Sequence, residues 1–274
     1  MNTLVAIGGA LDLRTPGSAL QAFYDRSGGS QARIVILNTA SASPQAGEET
    51  RLALNRLGLH QPAIVLPVQR RDQAADPVIR TAVQTATGIF FTGGAQLRIT
   101  TTLGGTPLLS DLHTAFQRGA VIAGTSAGAA ALSSIMFAYG KGGPTPRLGL
   151  AHFASGLGFT DRLVFDQHFR QRDRLGRLIL CLAQHPGLLG VGIDENTAAI
   201  LETAPGGAAW ISVTGANAVT IVDASQAGYT TVAELSSGQP IAISNLQLHI
   251  LTADCRFDLN RRLAEIPEQR QEVD

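Results

Sequence analysis

The sequence predicts an α/β fold, a mostly parallel sheet flanked by helices, with antiparallel strands at its edge. Three observations carry this. Short, near-continuous apolar runs alternate with helix-forming stretches from residue 4 to about residue 135, the βαβα order of a parallel sheet covered on both faces. Each apolar run ends in a polar or glycine-rich turn, as strands do where their carboxyl ends open into loops. From residue 208 onwards β-branched residues and turn signals take over, so 208–221 and 241–251 read as antiparallel edge strands.

In chain order, 4–7 is a buried strand ending at Gly8-Gly9, 18–26 a returning helix and 32–37 a second strand. Asn38-Thr39-Ala40-Ser41 then supplies a polar loop and cap for a helix over 45–57, with Leu52, Leu54 and Leu57 as its apolar contacts. A third strand at 63–68, a helix at 77–86 and a strand at 88–91 lead into Thr92-Gly93-Gly94. A Gly104-Gly105-Thr106-Pro107 break precedes a helix at 108–118. The apolar run 119–123 feeds the turn Gly124-Thr125-Ser126-Ala127-Gly128, and 129–135 reads as a helix rich in Ala and Leu. Residues 137–145, rich in Gly and aromatics, suggest a loop or flap. Residues 163–165 form a strand ending at Asp166-Gln167-His168, and 172–184 a helix with Leu175, Leu178, Ile179 and Leu182 on one face. Residues 188–193 and 197–202 look like a strand pair around Asp194-Glu195-Asn196. The polar end, 265–274, is expected to fray. With no repeat and no linker, 1–274 reads as one catalytic α/β domain.

Composition narrows the function. Lys+Arg and Asp+Glu are balanced at 21 each, so no global field draws the chain to nucleic acid or a membrane surface. Cys181 and Cys255 stand alone without metal-ligand spacing, which argues for buried thiols in a reducing compartment rather than a zinc site or disulfide framework. The run at 4–7 lacks a preceding basic region and is too short for a signal sequence or membrane span, so a cytoplasmic location is expected.

The strand–turn–helix setting of the GxSxG pattern describes a nucleophile elbow, which lifts the Ser126 hydroxyl off the sheet and brings first-turn N–H groups near it. In open α/β sheets ligands bind beyond the carboxyl ends of the strands. Gly8-Gly9, Thr92-Gly93-Gly94, Ser126 and His168 each follow a strand, so they are expected to meet along one rim. Of the six histidines, His60, His113, His152, His185 and His249 have bland settings, whereas His168 sits among polar residues at a strand end and suits a general base. For the group that orients the base, residue chemistry leaves Asp166 and Asp194-Glu195 open. Arg170, Arg172, Arg174 and Arg177 fit either a solvated helix face or bidentate docking of substrate carboxylates.

Taken together, IGGALD (7–12), FTGGAQLR (91–98), GTSAGA (124–129), DQHFRQRDRLGRL (166–178) and GIDENTA (192–198) resemble, in order and spacing, the cyanophycinase family. These serine peptidases degrade a polyaspartate that bears arginine on its side chains. The resemblance implies a class I glutamine amidotransferase-like (flavodoxin-like) fold, a homodimer, and exo-type hydrolysis of the β-linked backbone to release β-Asp-Arg dipeptides. It assigns Ser126 as nucleophile, His168 as base and Glu195 as the third member, and places Gln96, Asp166, Gln167, Arg172, Arg174 and Arg177 at the substrate. The pocket must hold both carboxylate and guanidinium, for which the arginines and Asp166 are the expected partners. Backbone N–H groups at Gly94 and Ala127 are expected to bind the oxyanion, with no metal or organic cofactor. Family members typically read IGGAED followed by a lysine, and FTGGDQ. Here Leu11, Leu13 and Ala95 stand at the differing positions, which leaves two rivals: an aspartyl dipeptidase of the same fold, and a noncatalytic polymer-binding homologue.

Overall fold

The structure, a computed structural model, describes residues 1–14 and 18–267. Its first half follows the expected alternation: β1 (Asn2–Ile7), α1 (Ser18–Arg26), β2 (Ile34–Leu37), α2 (Gln45–Arg56), β3 (Ile64–Leu66), α3 (Pro77–Thr85), β4 (Gly88–Phe91), α4 (Gln96–Leu103), α5 (Pro107–Gln117) and β5 (Val121–Thr125). α3 and α5 each open on a proline behind a capping side chain. Asp76 accepts from the amides of Val78 and Ile79, and Thr106 from that of Leu109, satisfying donors that a helix start leaves orphaned.

β1, β5, β4, β2 and β3 lie side by side and parallel. Alternate residues of these strands enter different cores. Leu4, Val35, Leu37, Ile89, Phe91 and Ile122 pack with Ile79, Val83, Ile99, Leu103, Leu108 and Leu112 of α3, α4 and α5. Val5, Ile7, Ile34, Ile36, Phe90 and Ala123 pack with Leu20 and Phe23 of α1 and Ala53 and Leu54 of α2. Strands buried on both faces explain the continuous apolar runs. On α2, however, Leu52 is exposed. Two positions from buried Leu54, it falls on the opposite side of the helix, so the expectation that it packs inward is corrected.

The second half contains α6 (Ala127–Ala130), β6 (Ile135–Gly140), β7 (Ala151–Ser155), β8 (Leu163–Gln167), α7 (Leu175–Gln184), β9 (Leu189–Ile193), β10 (Thr197–Thr203), β11 (Ala209–Gly215), β12 (Val219–Asp223), β13 (Gln247–Leu251), β14 (Arg256–Asp258) and β15 (Leu263–Glu265). Antiparallel β10, β11, β14 and β15 extend the main sheet outward from β1. A second sheet, ordered β13-β12-β9-β8, pairs β8 with β9 in parallel and its other neighbours antiparallel. One face of it sends Phe165, Val191, Ile193 and Ile221 into the larger core. The other packs Val164 and Val222 against Leu178, Leu180, Cys181 and Leu182 of α7. The expected antiparallel strands are thus shared between two sheets.

Three further expectations are corrected. The helix expected over 129–135 is the single turn α6, because the Leu157 amide donates to the Ala131 carbonyl at 2.7 Å and the Ser134 amide to the Thr160 carbonyl at 2.8 Å, drawing the chain into β6. Much of the expected flap over 137–145 is strand, since β6 pairs antiparallel with β7. β9 and β10 are not paired with each other: β9 lies between β8 and β12, and β10 between β1 and β11, so Asp194-Glu195-Asn196 carries the chain from one sheet to the other. At the end of the chain Glu265 closes β15, and 268–274, part of the segment expected to fray, lie outside the described residues. Cys181 and Cys255 are buried free thiols, and burial pushes Cys181 up to about 12. Among the described residues, no helix is long and apolar enough to cross a membrane.

Candidate active site

The carboxyl end of β5 turns into α6 at Ser126, whose backbone is held at φ 52°, ψ −113°. A non-glycine residue keeps such a conformation only where its surroundings over-determine it. Here the Ser126 amide donates to the Ile7 carbonyl at 2.9 Å and its carbonyl accepts from the Ala130 amide at 3.1 Å. The small neighbours are equally necessary: a Cβ on Gly124 would lie 2.4 Å from the Gly128 carbonyl carbon, and one on Gly128 would lie 2.4 Å from the Phe91 oxygen. The turn therefore exists because α6 can press against both β5 and β4. Ala127, the first residue of α6, points its N–H out of the helix unpaired by any earlier turn.

His168 follows β8 in the second sheet and also has positive φ, 47°. Its amide donates to the Gly8 carbonyl at 2.7 Å, and the Asn196 amide donates to the Gly9 carbonyl at 2.8 Å. These bonds set both turns against the end of β1. The result is a hydrogen-bonded line: Ser126 Oγ lies 3.0 Å from His168 Nε2, and His168 Nδ1 lies 2.5 Å from Glu195 Oε1. Ser126 Oγ is also 3.3 Å from Gln167 Oε1.

This geometry separates the acids that residue chemistry left open. Glu195 meets the imidazole. Asp194 instead accepts from the backbone amides of Arg170, at 3.0 Å, and Ala218, at 3.4 Å, fixing the turns on which His168 and Glu195 ride. Asp166 is fully buried beneath the site. Burial lowers the His168 pKa; the hydrogen bond that the ring donates to Glu195 opposes this, while Arg172 and Arg174 lower it further. The imidazole is accordingly neutral near pH 7 and able to accept a proton.

The residues expected at the substrate divide. Arg177 donates to Asp166 Oδ2 through Nε at 2.6 Å and to Oδ1 through Nη2, with its guanidinium 4.8 Å from the Phe137 ring centroid. Arg174 donates to Asp166 Oδ1 at 3.2 Å and to the Gln167 carbonyl, and burial draws its pKa down to about 10. The Gln167 amide also donates to Asp166, at 2.9 Å. Asp166, Arg174 and Arg177 are exposed by 0%, 7% and 3%. They satisfy one another beneath the Gln167-His168 turn, so direct substrate contact by these three is not what the structure places there. Gln96 is half-buried and donates through Nε2 to the carbonyls of Phe137, at 2.8 Å, and Ala138, at 3.0 Å. Arg172 is exposed.

A cleft of about 260 Å³ opens onto Ser126 and His168, lined also by Ala10, Leu11, Leu13, Glu49, Thr92 and Gly93. An adjoining cavity of about 350 Å³ shares Leu11, Leu13 and Glu49 and continues to Asp12, Arg14 and Arg56. The expected meeting of Gly8-Gly9, Thr92-Gly93-Gly94, Ser126 and His168 on one rim is therefore observed, and two of the three unusual positions, Leu11 and Leu13, line the cleft itself. Ala95 is exposed at the start of α4, its amide bonded to the Ala40 carbonyl at 3.0 Å. Sequence reasoning passed over Glu49. The signal was topological, since α2 begins just beyond the carboxyl end of β2, on the rim where ligands of such sheets bind.

Comparison with known proteins identifies the family. Residues 4–204 match the model of peptidase family S51. The chain is 37% identical over 262 residues to a cyanophycinase of Trichormus variabilis, covering 94% of this chain and 86% of that one. It is 39% identical over 255 residues to a cyanophycinase of Synechococcus elongatus, covering 92% and 78%. Among solved structures, a peptidase from an acI-B1 actinobacterium superposes with a TM-score of 0.69 at 22% identity, covering 94% of this chain and 97% of that one, a likeness of fold.

Proposed function

The chain belongs to peptidase family S51, and from that premise we propose that it is a serine-type cyanophycinase, an exopeptidase that degrades the arginine-bearing aspartate polymer to β-Asp-Arg dipeptides. The observation that carries the reading is the line Ser126–His168–Glu195 at the strained elbow, with contacts of 3.0 and 2.5 Å. In this reading His168 Nε2 takes the Ser126 proton as Oγ attacks the backbone carbonyl. Glu195 holds Nδ1–H and stabilises the imidazolium. The amides of Ala127 and Gly94 receive the oxyanion, and water then releases the acyl group.

Exposed Arg172 docks a substrate carboxylate as a bidentate donor. Gln167, Gln96 and the Asp166–Arg174–Arg177 cluster hold the walls of the site in register. Residues 1–274 act as one catalytic domain, paired as a homodimer in the cytoplasm, and sedimentation of the purified chain tests the pairing. The activity is tested by incubating wild type and Ser126→Ala with purified cyanophycin and with Asp-X dipeptides, followed by mass analysis. The expected result is β-Asp-Arg from polymer with wild type alone, at a rate lower by at least about 10³-fold in the variant. Undiminished polymer cleavage by Ser126→Ala removes the assignment, and cleavage confined to Asp-X dipeptides makes the protein an aspartyl dipeptidase.

A further inference from the structure

The acid expected to hold the substrate's guanidinium, Asp166, is already occupied by Arg174 and Arg177. Asp194 is occupied by backbone amides and Glu195 by His168. A cleft that takes an arginine-bearing substrate therefore needs another carboxylate, and among the described residues that line the space around Ser126 that carboxylate is Glu49.

We infer that Glu49 is a specificity-determining residue that receives a guanidinium or other long-chain cation of the substrate, with Leu11 and Leu13 as the apolar wall along its aliphatic stem. The inference rests on the peptidase reading for its substrate and on independent geometry for its site. Ala46, Glu49 and Thr50 line the cleft together because positions i, i+3 and i+4 of α2 share one face. Glu49 is exposed at the cleft mouth, and its Oε1 accepts from Gln45 Nε2 at 2.8 Å, one turn earlier, which orients the carboxylate.

Among the described residues no cation is ion-paired with it. Arg51 pairs with Glu48, and Arg56 donates to the Leu13 carbonyl at 3.2 Å. Hydrocarbon walls beside a single carboxylate match the side chain of arginine or lysine, which lays methylenes on apolar surface and keeps its charged head in a polar setting. Glu49 also lines the adjoining cavity with Arg14 and Arg56. The cation site thus borders cationic groups suited to the carboxylates that accompany each arginine of the polymer.

The test uses the full chain and two soluble tetrapeptide analogues, (β-Asp-Arg)2 and the same compound with leucine in place of arginine. Wild type is expected to favour the arginine compound, and Glu49→Gln to lose about tenfold in kcat/KM on it, through KM, while the leucine compound is unaffected. That loss is the scale of one charge-assisted hydrogen bond at a solvated position. Calorimetric titration with agmatine, which carries the guanidinium and stem but no scissile bond, should give binding to wild type and about tenfold weaker binding to Glu49→Gln. If wild type cleaves neither tetrapeptide and no polymer, the peptidase reading falls while the agmatine titration still decides the role of Glu49. Equal agmatine affinity in the two proteins, or an arginine preference retained by Glu49→Gln, overturns the inference.

Discussion

Replacing Gly9 with alanine adds one methyl group and tests whether the base is held as described. Gly9 has φ +98°, and a Cβ there would lie 2.3 Å from Cε1, 2.4 Å from Nε2 and 3.0 Å from Nδ1 of His168. Ordinary carbon contacts begin near 3.5 Å, so the ring must retreat by roughly 1.2 Å. The backbone offers little relief, because the Gly8 and Gly9 carbonyls are bonded to the amides of His168 and Asn196. Retreat lengthens the 3.0 Å Ser126–His168 contact beyond proton-transfer reach, and a misplacement of about 1 Å costs about 10²-fold in rate.

Alanine at positive φ adds about 1–3 kcal/mol of strain. At about 2–4 °C per kcal/mol for a chain of this size, the melting temperature should fall by several degrees while the protein stays folded at 25 °C. The assay is kcat/KM on cyanophycin beside a thermal melt and the rate of Ser126 labelling by a fluorophosphonate. A folded Gly9→Ala protein with wild-type kcat/KM and labelling would refute the placement of His168 against this glycine.

Three further outcomes follow from the charges of the site. Because the His168 pKa is lowered in the folded protein, the unfolded chain takes up that proton first as pH falls below about 6.5. The stability this group contributes is complete above that pH and is lost as pH falls through the lowered folded value, and kcat/KM should fall on the same limb. Glu195→Gln removes an influence that raises the His168 pKa, so the acid limb should move to still lower pH. The maximal rate should drop by about 10²-fold, less than the ~10⁴ of a fully buried triad acid, because a third of the Glu195 side chain is exposed; a pH–rate profile reads both effects. Arg177→Met removes two hydrogen bonds from the buried Asp166 carboxylate and leaves Arg174 as its cationic partner, which should cost about 1.5–3 kcal/mol in chemical unfolding.

Much of the site was legible because strand ends announce themselves. The apolar runs of β1, β4 and β5 stop at small or polar residues, and the topology of a parallel sheet sends those stops to one rim. What spacing could not deliver was pairing between distant segments. Asp194-Glu195-Asn196 has the composition of a hairpin turn, and only the partners of β9 and β10 reveal a passage between sheets. Helical spacing placed Arg174 and Arg177 one turn apart, yet said nothing of Asp166 waiting beneath them. On α6 the run of alanines favours a longer helix, but hydrogen bonds from residues 134 and 157 end it after one turn. Leu11 and Leu13 were noticed as departures from a motif, whereas their place along the cleft required the fold.

The turn at 194–196 has a consequence for how the protein fails. Ser126 belongs to one sheet while His168 and Glu195 leave the other, so the chemistry straddles a seam closed by the amides of His168 and Asn196 on the end of β1 and by the apolar side chains the two sheets share. Any slippage of the smaller sheet separates nucleophile from base before either sheet has melted. Heat or mild denaturant should therefore silence the enzyme while its circular dichroism is still that of the native state, and cooling should restore activity without a refolding step.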